Sequence, residues 1–334
     1  MARAKGKKGG NRKSGGSARG AGGEGAKLSQ LIARTAKVFA VSERAAEDIL
    51  STPRRQSVRI NPLAKRSVDA IKADLEPFAD GLIPIDWMAG GYHLDLAEGV
   101  SLPERFFESG ELFIQNASSF LPVLALDPQP GERILDLCAA PGGKSTHIAA
   151  LTANKAELWL NDGIETRLPK LREVVELLHV RAHAINAHPG QFIERHLEPG
   201  FDRILIDAQC GGEGMIDLNV KSSARFWSME RVEKYSMLQR KMLMAAHKLL
   251  KPGGTIVYST CTFAPEEDEV PVNHLIKHRE DMSLEEIEID APGLTPARSD
   301  WEGVRFEPGL TKARRVLPSP HMEGFFVAKL KKAM

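Results

Sequence analysis

Between Leu28 and Leu50 the apolar residues Leu31, Ile32, Val38, Phe39, Val41, Ile49 and Leu50 predict one or two short helices, broken near Ser42 and closed by Thr52-Pro53. The spacing then shortens. Ser57 to Pro62 reads as a strand, Ser67 to Leu75 as a helix, and Tyr92 to Leu96 and Leu112-Phe113-Ile114 as further short strands. A small α+β module is expected before residue 115.

Beyond it, strand-like runs at Arg133 to Leu137, Glu157 to Leu160, Ala182 to Ile185, Arg203 to Ile206 and Thr255 to Tyr258 alternate with helical stretches. The helices fall around Lys144 to Leu151, Ile164 to Leu178 and Arg231 to Leu250. Such alternation predicts an α/β fold with a mostly parallel sheet covered on both faces, closed by a last strand at Gly324 to Leu330. The chain divides into a tail (1–26), an N-terminal module (27–115) and a larger domain (116–334).

Composition, 42% apolar and 27% charged over 334 residues, is that of a folded chain without disulfide staples. Three cysteines, Cys138, Cys210 and Cys261, form no Cys-x-x-Cys pair; this argues against zinc and for a reducing, cytoplasmic setting. No apolar run is long enough to span a bilayer, so no membrane partner is expected. The net charge of +1 hides a basic segment: Arg3, Lys5, Lys7, Lys8, Arg12, Lys13 and Arg19 precede the first acid, Glu24. Its Gly/Ser/Ala/Lys/Arg content predicts disorder, as a solvated tail or as a phosphate-attracting arm.

Ile134 to Ser145 is an apolar strand, a small-residue turn (Cys138-Ala139-Ala140-Pro141-Gly142-Gly143) and a helix opening at Lys144, which brings a ligand to the carboxyl end of a sheet. The glycines allow close backbone approach, and the helix N-terminus offers N–H groups to a carboxylate. A phosphate-binding loop would need Gly where Cys138 stands, and no dinucleotide fingerprint is present; a plain packing turn remains the bland option. Asp162 ends the second strand, where an acid can bind ribose hydroxyls or cap a helix. Cys210, after Asp207, and Cys261 should emerge side by side at adjacent strand ends, a placement that suits nucleophilic chemistry better than core packing.

Gln115-Asn116-Ala117-Ser118, Leu137 to Lys144, Tyr258-Ser259-Thr260-Cys261-Thr262 with Pro265-Glu266-Glu267, and Glu323-Gly324-Phe325-Phe326 resemble the Nol/Nop/Sun family of RNA (cytosine-5)-methyltransferases, which includes the bacterial Sun and YebU types. Arg59-Ile60-Asn61 resembles the family's N-terminal RNA-contacting part. The resemblance implies a Rossmann-like methyltransferase with a seven-stranded sheet, acting on rRNA, or on tRNA; nothing in the sequence suggests an obligate assembly, and a monomer is expected. It implies an S-adenosylmethionine pocket at Cys138 to Lys144, Asp162 and Asp207, with Cys261 as nucleophile, Cys210 assisting release and Asp207 supporting the base. Two positions depart from the family pattern: Gln209 stands where Pro usually precedes Cys210, and Ala187-His188-Pro189-Gly190 lacks the usual adenine-binding Asp. They keep open a second reading, an RNA-binding protein with lost or weak turnover. A methyltransferase for proteins or small molecules ranks last, since it gives no reason for the thiol pair.

Overall fold

The computed structural model describes residues 21–220 and 222–334. The chain opens with helices α1 (Ala21–Phe39) and α2 (Glu43–Leu50), the second capped by Ser42, whose hydroxyl accepts from the Ala45 N–H. Strand β1 (Ser57–Ile60), helix α3 (Val68–Leu75), strands β2 (Leu82–Pro84) and β3 (Gly91–Leu94), the single turn α4 (Arg105–Glu108) and strand β4 (Leu112–Gln115) follow. These strands form an antiparallel sheet in the order β2-β3-β1-β4, with a core of its own built on Val58, Ile60, Ile71, Leu75 and Phe106.

After α5 (Leu121–Leu126) come β5 (Arg133–Asp136), α6 (Gly143–Leu151), β6 (Glu157–Asn161), α7 (Leu168–Leu177), β7 (Ala184–Asn186), β8 (Phe201–Asp207), α8 (Met229–Leu249) and β9 (Leu250–Thr260). The chain ends through α9 (Glu269–His278), β10 (Met282–Glu285), β11 (Leu294–Pro296), the two-residue strands β12 (Asp300–Trp301) and β13 (Val304–Arg305), β14 (Arg314–Val316) and β15 (Phe325–Lys332). Strands β7-β6-β5-β8-β9 run parallel, and β15 pairs antiparallel to β9. The order reverses between β5 and β8, and ligands gather outside the carboxyl ends of strands at such a switch point.

The expected α/β class is the observed one, with three corrections. The large sheet has nine strands instead of seven, because β10 and β11 join it through β15 and β14; both are short and too polar to announce themselves as strands. Of the tail expected to be disordered, Ala21–Ala26 belong to α1, and the rest lies outside the described residues. Third, the α1–α2 pair packs on the large domain and not within the N-terminal module. Leu31, Val38 and Leu50 share a core with Leu135, Phe201 and Leu243, Phe39 meets the Phe263 ring at 5.1 Å, and Arg34 pairs with Glu266 at 2.7 Å. An apolar helix face must be buried, but its spacing does not say against which core.

Arg59 and Asn61 face the seam between the two sheets. Arg59, 1% exposed, donates to the Thr146 hydroxyl of α6 at 3.1 Å, and the Asn61 amide donates to the carbonyls of Gly110 and Leu178. They join the module to the larger domain.

Candidate active site

The thiols of Cys210 and Cys261 meet at the carboxyl ends of β8 and β9, their Sγ atoms hydrogen-bonded at 3.3 Å. Parallel pairing of Asp207 with Ser259 fixes the two strand ends level, so each chain leaves its strand toward the same place. The hydrogen bond to Cys261, and burial after it, raise the Cys210 pKa well above the ordinary thiol value, so Cys210 stays protonated while that bond exists.

Beside them, the Asp207 carboxylate accepts from the Ser259 hydroxyl at 2.8 Å and from Lys144 Nζ at 2.6 Å. Burial works against the Lys144 charge, but the adjacent Asp207 carboxylate outweighs it and holds the ammonium pKa above its usual value. Lys144 is thereby committed to Asp207, whose carboxylate is held in direction by its two hydrogen bonds.

The turn after β5 forms one wall of a cavity of about 170 Å³, with Cys138–Pro141, Gly143 and Lys144 on that wall, Asp207 at its side, and Phe113, Ile114, Gln115 and Ser119 opposite. Gly142 has φ +119°, and a Cβ there would come within 2.9 Å of the Val174 side chain, so only glycine lets the turn close onto α7. Asp136, under the turn, accepts from Ser145 at 2.6 Å; burial drives its pKa up to about 7, with the Ser145 hydrogen bond opposing.

Of the expected cofactor residues, Gly142, turned toward α7, and Asp162 do not line the cavity, and Asp162 is tied to the turn instead. Only 2% exposed, it lies outside the residues lining the cavity: Oδ2 accepts from the Ala140 N–H and pairs with Arg167, both at 3.1 Å, and Oδ1 accepts from the Ile164 N–H. His188 stacks on His196 at 4.2 Å while its backbone pairs with the Asn161 amide, and it also lies off the cavity.

Several supporting residues were missed in the sequence. In place of a proline's fixed angle, the Gln209 carbonyl is held by Gln239 of α8 at 2.8 Å; Gln239 also donates to Glu267, which accepts from the Gly211 N–H. Burial pushes the Glu267 pKa up to about 8. A polar Gln on the apolar face of a long helix was the available signal. Asn116 Oδ1 accepts from the N–H groups of Ser118 and Glu323, and Ser118 Oγ donates to the Glu323 carbonyl, tying two of the quoted motifs together.

A Rossmann-like sheet whose switch point carries a small-residue cradle, flanked by acids and paired thiols, defines an S-adenosylmethionine-dependent methyltransferase; Gly143, where a Cβ would come within 3.2 Å of the Phe113 ring, keeps the cradle free of side chains for that cofactor. The family model described as 16S rRNA methyltransferase RsmB/F matches residues 123–331, and the chain belongs to this family, part of the Nol/Nop/Sun group of RNA (cytosine-5)-methyltransferases. It is 37% identical over 288 residues to the tRNA (cytosine(49)-C(5))-methyltransferase of Pyrococcus abyssi (strain GE5 / Orsay), covering 85% of this chain and 90% of that protein. It is 33% identical to ribosomal RNA small subunit methyltransferase F of Cronobacter sakazakii (strain ATCC BAA-894), covering 84% of this chain but 57% of that longer protein. A solved methyltransferase homolog protein from Pyrococcus horikoshii superposes with a TM-score of 0.73 at 30% identity, over 91% of this chain and 99% of that one.

Proposed function

We propose that the protein methylates carbon 5 of a cytosine in RNA through a covalent adduct of Cys261, and the observation that carries this reading is the 3.3 Å contact of the two thiols beside Asp207. Carbon 5 of cytosine is a weak nucleophile. Addition of the Cys261 thiolate to carbon 6 makes the ring an enamine whose carbon 5 can accept a methyl group. S-adenosylmethionine supplies that methyl as an electrophile on sulfur. Asp207, aimed by Lys144 and Ser259, faces the base and stabilises the charge that develops on it.

Release requires loss of the carbon 5 proton and then cleavage of the sulfur–carbon 6 bond. Cys210 suits the first step because the largest cause of its raised pKa, the hydrogen bond to Cys261, disappears once that sulfur is bonded to the ring. Freed of that bond, Cys210 gives its own proton to solvent, and its thiolate, or a water it holds, takes the carbon 5 proton as the sulfur–carbon 6 bond breaks and the Cys261 thiolate is regenerated.

The turn Cys138 to Lys144, with Gly142 and Gly143 at its apex, receives the cofactor; Asp162 serves it by holding Ala140 in place. The reading without turnover finds no support, since the thiols, Asp207 and the turn are all assembled and Gln209 is held by Gln239. Ribosomal RNA is the first substrate reading, in line with the family description; the Pyrococcus abyssi relative, matched over 90% of its length, favours tRNA as the second. The reacting atoms are inaccessible in a stacked duplex, so the target is an unpaired or extruded nucleotide, gripped by the N-terminal module. Three free thiols fit a reducing, cytoplasmic setting. Among the described residues no helix is long and apolar enough to cross a membrane.

The test is transfer of labelled methyl from S-adenosylmethionine to unmodified rRNA and tRNA, with the product nucleosides identified. Label in 5-methylcytosine supports the reading and names the RNA; label in another nucleoside, or none, refutes it.

A further inference from the structure

Gln115 belongs to a motif whose chemistry the mechanism leaves unused. It ends β4, and the chain beyond it is pinned by Asn116, which accepts from Ser118 and from Glu323 on the far side of the site. The side chain therefore projects from a fixed backbone into the cavity that the cofactor turn and Asp207 share.

Both amide atoms, Nε2 and Oε1, are shielded from solvent and have no partner among the described residues. An unmade hydrogen bond on a buried polar atom costs about 1–3 kcal/mol, so an orphaned donor and acceptor on one amide call for a ligand presenting both complements. Across the cavity lies the first turn of α6, whose leading N–H groups have no carbonyl of their own helix to bond. Gln115 Oε1 sits 3.5 Å from where a Cβ on Gly143 would be, which puts the amide against that turn. Lys144 is not free to receive an anion there, being paired to Asp207 at 2.6 Å.

We propose that Gln115 binds the α-amino acid end of the methyl donor, Nε2 donating to its carboxylate together with the α6 N-terminus and Oε1 accepting from its ammonium. A zwitterion matches both halves of the amide; an adenine edge also sets a donor beside an acceptor, but the α6 N-terminus against which the amide sits favours the carboxylate. The edge of the target base also carries donors and acceptors, but the thiols it must reach do not line this cavity. The inference rests on the methyltransferase reading and adds a specific contact to it.

The experiment is calorimetric titration of wild type and Gln115→Leu with S-adenosylhomocysteine and with 5′-methylthioadenosine, which keeps the nucleoside and lacks the amino acid. Leucine should weaken S-adenosylhomocysteine about tenfold, the scale of a lost hydrogen bond to a charged group, and leave 5′-methylthioadenosine unchanged. Equal weakening of both ligands, or unchanged S-adenosylhomocysteine binding with a raised KM for RNA, overturns the assignment. Failure of wild type to bind either ligand would overturn the methyltransferase reading as well. If ligand-free thermal unfolding shows the leucine variant misfolded, Gln115→Glu keeps the shape and should repel the carboxylate, weakening only S-adenosylhomocysteine; equal binding of both ligands to it overturns the proposal.

Discussion

Cys210 and Cys261, 51 residues apart in the chain, hold their sulfur atoms 3.3 Å from each other at the ends of adjacent parallel strands. At that distance only one of the two can carry a charge without strong repulsion, and the raised pKa of Cys210, caused first by its bond to Cys261 and then by burial, makes Cys210 the protonated partner. The proposed roles of Cys261 as nucleophile and Cys210 as its assistant rest on this contact.

Cys261→Ala should abolish methyl transfer, a loss of at least about 10³-fold, because removing a covalent nucleophile removes the step that activates the base. Cofactor affinity should stay at the wild-type value, since Cys261 does not line the cofactor cavity. Calorimetry beside the transfer assay checks both; a parallel fall in cofactor affinity would mean a folding defect.

Cys210→Ala should still form the adduct and fail to resolve it. Incubation with RNA and S-adenosylmethionine should therefore yield a protein–RNA band that survives denaturing electrophoresis and is absent from Cys210→Ala/Cys261→Ala. Free turnover by the single variant would move the release step to another residue.

Gly214 and Gly324 touch backbone to backbone behind Cys261: Gly214 donates to the Cys261 carbonyl at 3.0 Å and accepts from the Gly324 N–H. A Cβ on Gly214 would lie 1.9 Å from the Gly324 carbonyl oxygen, so the two segments must part. Gly214→Ala should cost about 1–3 kcal/mol of stability and displace Cys261, lowering activity beyond what the fall in folded fraction explains. Urea unfolding with a transfer assay on the folded fraction measures both, and full specific activity would show that the contact does not position the thiol.

Burial lifts the Asp136 pKa from the ordinary carboxyl range to about 7, against the opposing hydrogen bond of Ser145. The folded protein then binds this proton more tightly than the unfolded chain, so the stability it contributes is complete below the ordinary carboxyl pKa and is lost as pH rises through about 7. The loss from this group is of order 4 kcal/mol. Stability of Asp136→Asn should fall less than that of wild type between about pH 5 and pH 8. Parallel unfolding curves at these pH values decide it: equal slopes for the two proteins would show that Asp136 is ionised throughout.

Local pattern alone located β5, the small-residue turn, the two cysteines and the alternation of strands and helices, because close backbone approach, apolar spacing and capping leave their mark within a few residues of where they act. The Ser42 and Ser67 caps are of this kind, each accepting from the N–H three residues on. Only the tertiary structure decided which core α1 and α2 would cover, that β10 and β11 would extend the sheet, that Arg59 would turn inward, and that Asp162 would be tied to Ala140. It also decided that Gln239 would hold Gln209 and that Gln115 would be left with an unpaired amide inside the cavity. These outcomes depend on pairs of groups far apart in the chain, and burial and hydrogen-bond satisfaction belong to such pairs and not to either residue alone.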